Sequence, residues 1–435
     1  MGRAFLGVLM ALAAGSSAYA ATPDAGRSGG GMSMDLVRLS PLGDRYAFRA
    51  TTTGAPRIIV ATTDNKVLLS LPVGSANVED LEWAGDDHLL ITNTSSQVVD
   101  PAHVAASKSP LTTVVAVNIT TQKAINVFID PPQQRVVTAV FGNFGTAQID
   151  GHWYGYFGGY TYETSTLGQV IRHDDEFNFF MDLYRVDLDT GAYNVAAYGE
   201  PGVSGWLVTP DGKVVAHTIY DKKSQNWWVK RGPLDGAELA SGSVHEHDHG
   251  ARLVSLGRDP GTVLVQVDNQ GATKLLEIPL AGGAPLATVA DSKGDELLVD
   301  RANDEWIGTV GNGGQLNTPT AGASPTTAFA KLQAVYSAFD GQHPSLVSAS
   351  TDFNSIILWT PTDDKTGTLW LVNIAKQSAD RLGSGPKPAA VGGLVNTLDW
   401  NSALDVAMQG MDMITPGVMG NSLPIHIGAT SVGTR

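Results

Sequence analysis

The stretch LSPLGDRYAFRA (residues 39–50) decides the fold, because its pattern returns along the whole chain. It combines a turn rich in Gly, Asp and Pro with a short strand of alternating apolar and polar residues. Related phrases are EWAGDDHLLIT (82–92), QIDGHWYGYFG (148–158), VTPDGKVVAHT (208–218), GRDPGTVLVQV (257–267), RANDEWIGTVG (301–311) and STDFNSIILWT (350–360). Their turns, near residues 43, 85, 151, 212, 261, 304 and 353, are spaced by about 52 residues on average, close to one propeller blade.

Partner strands accompany these phrases. PRIIVATTDNKVLLSLPV (56–73) predicts two strands around a turn at Asp64-Asn65, and DLYRVDLDTGAYNVAAYG (182–199) predicts a turn at Asp189-Thr190-Gly191. The segment TTAFAKLQAVYSAF (326–339) is the one helix candidate. The pattern predicts an all-β protein, a β-propeller with seven blades of four-stranded antiparallel sheets, although six or eight blades fit the longer second and third units.

The chain divides into four predicted segments. Residues 1–20, MGRAFLGVLMALAAGSSAYA, have a charged start, an apolar stretch and an Ala-Tyr-Ala cleavage site, and this pattern predicts a signal peptide. Residues 21–31 are expected to be a flexible N-terminus, residues 32–384 the propeller, and residues 385–435 a tail or the truncated start of another domain. Export to a bacterial periplasm, with no membrane span after removal of the signal, follows as an expectation.

Composition narrows the possible partners and chemistry. The formal net charge of −15 disfavours binding to nucleic acid, because an acidic surface repels phosphates. Solubility by itself also explains this acidic charge. The chain has no cysteine, so a thiolate nucleophile and a cysteine-based metal site are excluded.

Two consecutive phrases carry a family resemblance. VRLSPLGDRYAFRA (37–50) followed by VEDLEWAGDDHLLIT (78–92) resembles the opening of the propeller domain of prolyl oligopeptidase family serine peptidases, in the exported dipeptidyl-peptidase and acylaminoacyl-peptidase-like branch. Residues 181–220 and 357–383 are similar to later blades of that family. The resemblance implies a propeller that limits access to an α/β-hydrolase domain, so that only short peptides reach its serine.

That hydrolase cannot be carried over to this sequence. Residues 385–435 are too few for such a domain, which needs on the order of 200 residues, so a truncated reading frame is one hypothesis. The ending ATSVG (429–433) only approximates the serine elbow G-x-S-x-G. We expect no catalysis by Ser431, because His426 is too local to serve as its base. No catalytic residue and no cofactor are assigned.

The polar cluster most suggestive of a metal site is SVHEHDHG (243–250). On a strand, His245, His247 and His249 share one face, and three imidazoles so placed are able to hold a transition metal. The alternative is a solvated loop between blades, which the flanking glycines favour. His173 beside Asp174 and Asp175 suggests either acid–base work or a charged loop.

Aromatic residues concentrate in GHWYGYFGGYTYE (151–163) and NWWVK (226–230). They are suited either to stacking on a peptide or sugar or to packing between blades. Three functions therefore compete: the substrate-gating propeller of a peptidase, inactive by itself; a standalone periplasmic propeller that binds a peptide or protein partner; and a metal-assisted propeller hydrolase.

Overall fold

The computed structural model describes residues 33–387, apart from 52–55, 74–75, 99–107, 131–135, 137–138, 162–180, 245–249, 260, 270–271, 290–295, 301–303, 312–314, 319–325 and 364. Within these residues the chain forms a succession of antiparallel meanders in an all-β propeller arrangement. In the described part of the chain no helix has the length and apolarity needed to cross a membrane.

Each meander runs outward from its first strand. The first contains β1 (Ser33–Leu39), β2 (Arg45–Thr51), β3 (Arg57–Thr62) and β4 (Val67–Pro72). The next contains β5 (Asn77–Ala84), β6 (His88–Val98), β7 (Lys108–Asn118) and β8 (Ala124–Asn126). Then follow β9 (Asn143–Ile149), β10 (His152–Tyr160), β11 (Met181–Asp187) and β12 (Tyr193–Ala197).

The second half of the chain repeats this design. Its strands are β13 (Val203–Val208), β14 (Val214–Asp221), β15 (Asn226–Arg231) and β16 (Glu238–Ser243), then β17 (Ala251–Leu256), β18 (Thr262–Asn269), β19 (Ala272–Pro279) and β20 (Ala287–Val289). A shorter meander follows with β21 (Glu296–Asp300), β22 (Glu305–Val310) and β23 (Leu316–Asn317). The last contains β24 (Ser345–Ala349), β25 (Ser355–Pro361), β26 (Thr366–Asn373) and β27 (Ser378–Pro386).

Hydrogen bonding joins some meanders into larger sheets. The described strands form five sheets, three with four strands, one with eight and one with seven. Parallel bridges cause the merging, because Ser33 of β1 pairs with Ser384 of β27, and Leu256 of β17 pairs with Glu305 of β22. The predicted count of seven four-stranded blades is therefore wrong, because only three of the five sheets have four strands.

The core lies between consecutive meanders. One cluster packs Ile58 and Val60 of the first meander against Leu81 and Leu89 of the second, and equivalent clusters follow along the chain. A further cluster joins the last meander to the first, with Trp359 packed near Phe48. The apolar layers thus form a closed ring, because each sheet buries both faces only by contact with two neighbours.

The predicted turns and the predicted helix are confirmed. Each of the turn positions in the quoted phrases lies between the first two strands of a meander, and Asp64-Asn65 and Asp189-Thr190-Gly191 lie between outer strands. The helix α1 spans Thr327–Ala338, and the Thr326 side chain caps it by accepting a hydrogen bond from the Phe329 amide. Its buried residues Phe329, Leu332 and Val335 cover the short meander β21–β23 and pack toward β24 and β25.

Two of the inner hairpins show why glycine occupies the turn. Gly85 and Gly151 adopt φ angles of 60° and 82°, in the left-handed region. A Cβ atom on Gly85 would lie 2.4 Å from Cε2 of Trp153 in the next meander, whereas a Cβ atom on Gly151 meets nothing within 4 Å. The turn at Gly85 is thus also a packing contact between meanders.

Replacing Gly85 by alanine tests this contact. We expect Gly85→Ala to lower the free energy of unfolding by about 2–5 kcal/mol, as the sum of backbone strain and overpacking against Trp153. Gly151→Ala is the matched control and should lose only about 1–2 kcal/mol, from strain alone. Urea unfolding followed by tryptophan fluorescence measures both values, and equal losses would contradict the packing role of Gly85.

Candidate functional site

A cavity of about 680 Å³ lies where the first strands of the meanders converge. Every first strand contributes to its wall, which is the arrangement expected around the axis of a propeller. Wall residues are Arg38, Leu39, Glu79 to Trp83, Asn143 to Thr146, Trp206 to Val208, Leu253, Val254, Val299 and Leu346 to Ala349. The volume falls in the range of small-molecule and cofactor sites, about 300–1,000 Å³.

Polar side chains connect neighbouring strands around this cavity. Arg38 of β1 donates to Asp80 of β5, with 2.9 Å between Nη2 and Oδ1. Farther round the ring, the side-chain amide of Asn143 on β9 donates to the Glu82 carboxylate of β5, with 2.6 Å between Nδ2 and Oε2. The backbone amide of Leu39 donates to Oγ of Ser348 on β24 at 2.9 Å. These bonds hold the first strands in a fixed relation.

A β-bulge in β5 concentrates negative charge on the cavity. Val78 pairs with Asn93 and Asp80 pairs with Thr92, so Glu79 is an extra residue without a partner in the ladder. Side chains at successive positions of a regular strand face opposite sides, but here Glu79, Asp80 and Glu82 all line the cavity. The residues of β5 that line the cavity therefore include the bulged Glu79 and two further acidic residues, Asp80 and Glu82.

Aromatic rings form the apolar part of the wall. Trp83, Phe144, Trp206 and Phe353 are buried, and Trp153 is partly exposed. The Trp83 indole donates to the Arg38 carbonyl oxygen at 3.1 Å, and Phe144 meets Trp206 edge to face with 5.1 Å between ring centroids. The cavity thus combines a charged strand with a rigid aromatic surface.

The indole nitrogen of Trp206 has no hydrogen-bond partner among the described residues. Trp206 is only 2% exposed, and its N–H finds no acceptor among the described residues. Buried donors are almost always paired in folded proteins, because leaving one unpaired costs about 1–3 kcal/mol. The Trp206 indole N–H is therefore an unsatisfied donor that is buried rather than exposed to the cavity.

The site candidates named from the sequence are not among the described residues. His245, His247 and His249 fall outside the described residues, as do His173, Asp174, Asp175, His426 and Ser431. In the described ranges no group of three or more His, Cys, Asp or Glu residues is arranged to hold a metal ion. The histidine cluster at 245–249 consequently stays a prediction.

The aromatic segments are divided between packing and the cavity. Tyr156 and Phe157 of β10 and Trp227 of β15 are buried in the core, which agrees with the packing interpretation. Trp153, in the first of these segments, lines the cavity. Sequence reasoning missed Glu79, Asp80 and Glu82, although the acidic spacing in VEDLEW (78–83) was visible directly before a turn.

A second charged cluster lies away from the cavity, around the buried His217. Its Nδ1 atom is 2.7 Å from the Gly232 carbonyl oxygen and its Nε2 atom 2.8 Å from Oε1 of Glu200. Lys230 donates to the other Glu200 oxygen at 2.9 Å. Burial raises the Glu200 pKa, but the hydrogen bonds and charges of Lys230 and His217 outweigh it and hold that pKa below its usual value. All these polar atoms are satisfied, so the cluster is structural.

A related cluster joins the second and third meanders. The His88 Nε2 atom lies 2.9 Å from Oδ1 of Asp189, and Asn118 donates to the same oxygen at 2.9 Å. Burial raises the Asp189 pKa, yet these two partners lower it overall. Neither His88 nor His217 has a serine hydroxyl as a hydrogen-bond partner among the described residues.

Comparisons with known proteins give distant likenesses. No family model and no curated protein matches the chain. Among solved structures, it is similar to an oligogalacturonate lyase in complex with manganese, with 13% identity and a TM-score of 0.42 over 78% of this chain and 89% of that one. It is also similar to prolyl oligopeptidase B from Galerina marginata, with 13% identity and a TM-score of 0.36 over 87% of this chain and 45% of that one.

A third similar structure is an acylaminoacyl peptidase in complex with a chloromethyl ketone. The identity is 12% and the TM-score 0.34, over 80% of this chain and 44% of that one. The chain thus spans less than half the length of the two peptidases.

The cluster around Glu200 yields a testable pH dependence. Since the folded-state pKa of Glu200 lies below the ordinary 4.5, its stabilisation is complete above pH 4.5 and disappears as the pH falls through the folded value. We expect Glu200→Gln to lower the free energy of unfolding at neutral pH by about 1.5–3 kcal/mol. The variant should also lose less stability than the wild type below pH 4.5.

Urea unfolding at a series of pH values measures this effect. Glu238→Gln is the matched control, because Glu238 is an exposed carboxylate on the outer strand β16. If the free energy of unfolding of Glu200→Gln falls as steeply below pH 4.5 as that of the wild type, the pKa of Glu200 is not lowered in the folded state.

Proposed function

We propose that the chain is a peptide-admitting propeller, which binds extended peptide segments in its axial cavity and does not itself cut them. The single observation that carries this proposal is the cavity of about 680 Å³ at the convergence of the first strands. Its wall offers both aromatic surface and polar groups, the combination typical of ligand sites. The volume suits a few residues of extended chain and excludes a folded domain.

The context we propose is access control for a prolyl-oligopeptidase-like serine peptidase. Support comes from the phrases at residues 37–50 and 78–92, which resemble the opening of that family's propeller domain. A propeller whose walls are cross-linked by Arg38–Asp80 and Asn143–Glu82 is a rigid frame. Such a frame filters ligands by width, and this filtering is the gating role.

Binding in the cavity is tested by filling it. Thr146 of β9 lines the wall, and we expect Thr146→Trp to weaken binding of an acetylated and amidated random pentapeptide library by about tenfold or more, because the indole occupies the cavity. Equilibrium dialysis with mass spectrometry measures the bound fraction.

Asn194→Trp is the matched control, since Asn194 is exposed on the outermost strand β12 and should leave binding unchanged. Equal binding by wild type and Thr146→Trp would place the peptide site outside the cavity. No binding by the wild type would end the proposal.

The absence of cutting is tested with an activity probe. We expect the purified chain not to react with a fluorophosphonate, because a reactive serine needs an adjacent base. Two described histidines have a carboxylate partner. His88 is hydrogen-bonded to Asp189, and His217 is hydrogen-bonded to Glu200 and to the Gly232 carbonyl oxygen, and neither is bonded to a described serine hydroxyl. Covalent labelling of the folded chain, together with no labelling of chain that is denatured before the probe is added, would overturn this part of the proposal.

A further inference from the structure

We propose that the junction between the third and fourth meanders carries a pH-sensitive latch, in which a doubly protonated His217 on β14 binds both Glu200 and the Gly232 carbonyl group. The latch is closed while both ring nitrogens of His217 carry a proton, and it weakens when one proton is lost. It belongs to the ring itself and is independent of peptide binding in the cavity.

Both ring nitrogens of His217 face oxygen atoms that accept hydrogen bonds. Nδ1 lies 2.7 Å from the carbonyl oxygen of Gly232, and Nε2 lies 2.8 Å from Oε1 of Glu200. A neutral imidazole carries one N–H and satisfies one of these contacts, whereas the imidazolium carries two and satisfies both. The arrangement therefore fits the charged form of His217.

The proton between His217 and Glu200 belongs to the histidine. Burial raises the pKa of Glu200, but its hydrogen bonds to Lys230 and His217 lower that pKa by more, so the carboxyl group is ionised at neutral pH. Its other oxygen, Oε2, accepts a hydrogen bond from Lys230 at 2.9 Å. An ionised Glu200 has no proton to donate, and Nε2 of His217 is consequently the donor.

Burial keeps water from repairing the latch when a proton is lost. The side chain of His217 is only 1% exposed. After deprotonation, one ring nitrogen presents a bare lone pair to an oxygen at 2.7 or 2.8 Å, and two acceptors at that distance repel each other. A buried polar group without its hydrogen bond destabilises the folded state.

The latch fastens the connection between two meanders. Glu200 lies between β12 and β13, and its carbonyl oxygen accepts a hydrogen bond from the Val203 amide at the start of β13. His217 is the register partner of Trp206 on β13, and Trp206 lines the cavity. Loss of the latch therefore acts on the strand that forms part of the cavity wall.

Charges on the neighbouring elements act on His217 in both directions. Lys230, its register partner on β15, is a cation that opposes the imidazolium, but the Glu200 carboxylate binds both side chains and offsets this repulsion. The other ionisable groups on the strands around the latch are Asp182, Arg185, Tyr154, Tyr156, Tyr160, Arg231 and Glu238.

His88 shows that burial alone does not produce such a latch. It is 4% exposed, its Nε2 atom lies 2.9 Å from Oδ1 of Asp189, and its Nδ1 atom has no hydrogen-bond partner in the described part of the chain. One proton, on Nε2, satisfies the contact with Asp189, so the neutral imidazole suits this position. The two buried histidines therefore differ in the protonation state that their surroundings favour.

The direction of the pH effect follows from proton linkage. A histidine in an unfolded chain titrates near pH 6.5, whereas the folded chain needs both protons on His217 to keep its two contacts. Stability falls with rising pH wherever the folded state binds more protons than the unfolded state. The stabilisation by the latch is thus complete below about pH 6.5 and is lost as the pH becomes alkaline.

Nitrogen-15 magnetic resonance of the full chain, labelled at histidine, measures the protonation of His217 directly. At about pH 7.5, where an unfolded histidine is mostly neutral, we expect both ring nitrogens of His217 to show the shifts of protonated nitrogens. Their signals are assigned by their loss in His217→Gln or, if that variant does not fold, by contacts to the Trp206 ring. A bare ring nitrogen on His217 at this pH would overturn the proposal.

Urea unfolding between about pH 6 and about pH 9 measures the effect on stability. We expect the unfolding equilibrium constant of the wild type to rise about tenfold across this range, and His217→Gln to remove most of the rise. Glu200→Gln should remove it as well, because the glutamine amide turns and donates to the bare Nε2 atom. His152→Gln is the matched control, since His152 is exposed and its replacement should keep the wild-type slope.

The outcomes separate the latch from the proposed function. A wild type without this slope, or a slope that persists in His217→Gln, overturns the latch. A slope that His152→Gln also removes shows that the titration is not specific to His217 and overturns it too. A slope that persists in Glu200→Gln contradicts the role of Glu200 as the second acceptor. Peptide binding is measured separately, so each of these failures leaves the proposed function standing.

Discussion

Ring closure is the constraint on which the rest of the structure depends. An antiparallel meander with apolar residues on both faces cannot bury them alone, and packing in a row leaves two outer faces exposed to water. The chain solves this by returning β24–β27 to the side of β1–β4. There Trp359 packs near Phe48, the Leu39 amide donates to Ser348, and Ser33 pairs with Ser384. Contacts between residues more than 300 positions apart therefore close the core.

The axial cavity is a geometric consequence of that closure. Strands that converge on an axis cannot pack to the centre, because their backbones and side chains keep them apart. The space left is lined by whichever residues the first strands turn inward. Cross-strand bonds such as Arg38–Asp80 and Asn143–Glu82 stabilise the ring and also set the charge of the opening. The side chains that stabilise the ring thus also line the cavity, and any change to β5 is expected to affect both the stability of the ring and the shape of the cavity.

The clusters outside the cavity illustrate a different use of polar groups. His217 with Glu200 and Lys230, and His88 with Asp189 and Asn118, resemble pieces of catalytic machinery when read as residue types. Both ring nitrogens of His217 are hydrogen-bonded, whereas the buried Nδ1 atom of His88 has no partner among the described residues. Each oxygen of the Glu200 carboxylate is hydrogen-bonded within the cluster, one to His217 and the other to Lys230. Residue types alone do not distinguish a catalytic cluster from a structural one, whereas the hydrogen-bond partners of each side chain do.

The sequence by itself determined the local structure. Turns at Gly43, Gly85, Gly151 and Gly212 were visible because left-handed backbone and hairpin geometry favour glycine there, and the capped helix Thr327–Ala338 was visible from its pattern. Only the tertiary structure decided which meanders merge, since the parallel bridges at Ser384 and Glu305 depend on how neighbouring sheets approach. It also decided the site. The bulge at Glu79 depends on the register between β5 and β6, which alternation alone does not reveal, and the cavity joins strands that are far apart in the chain.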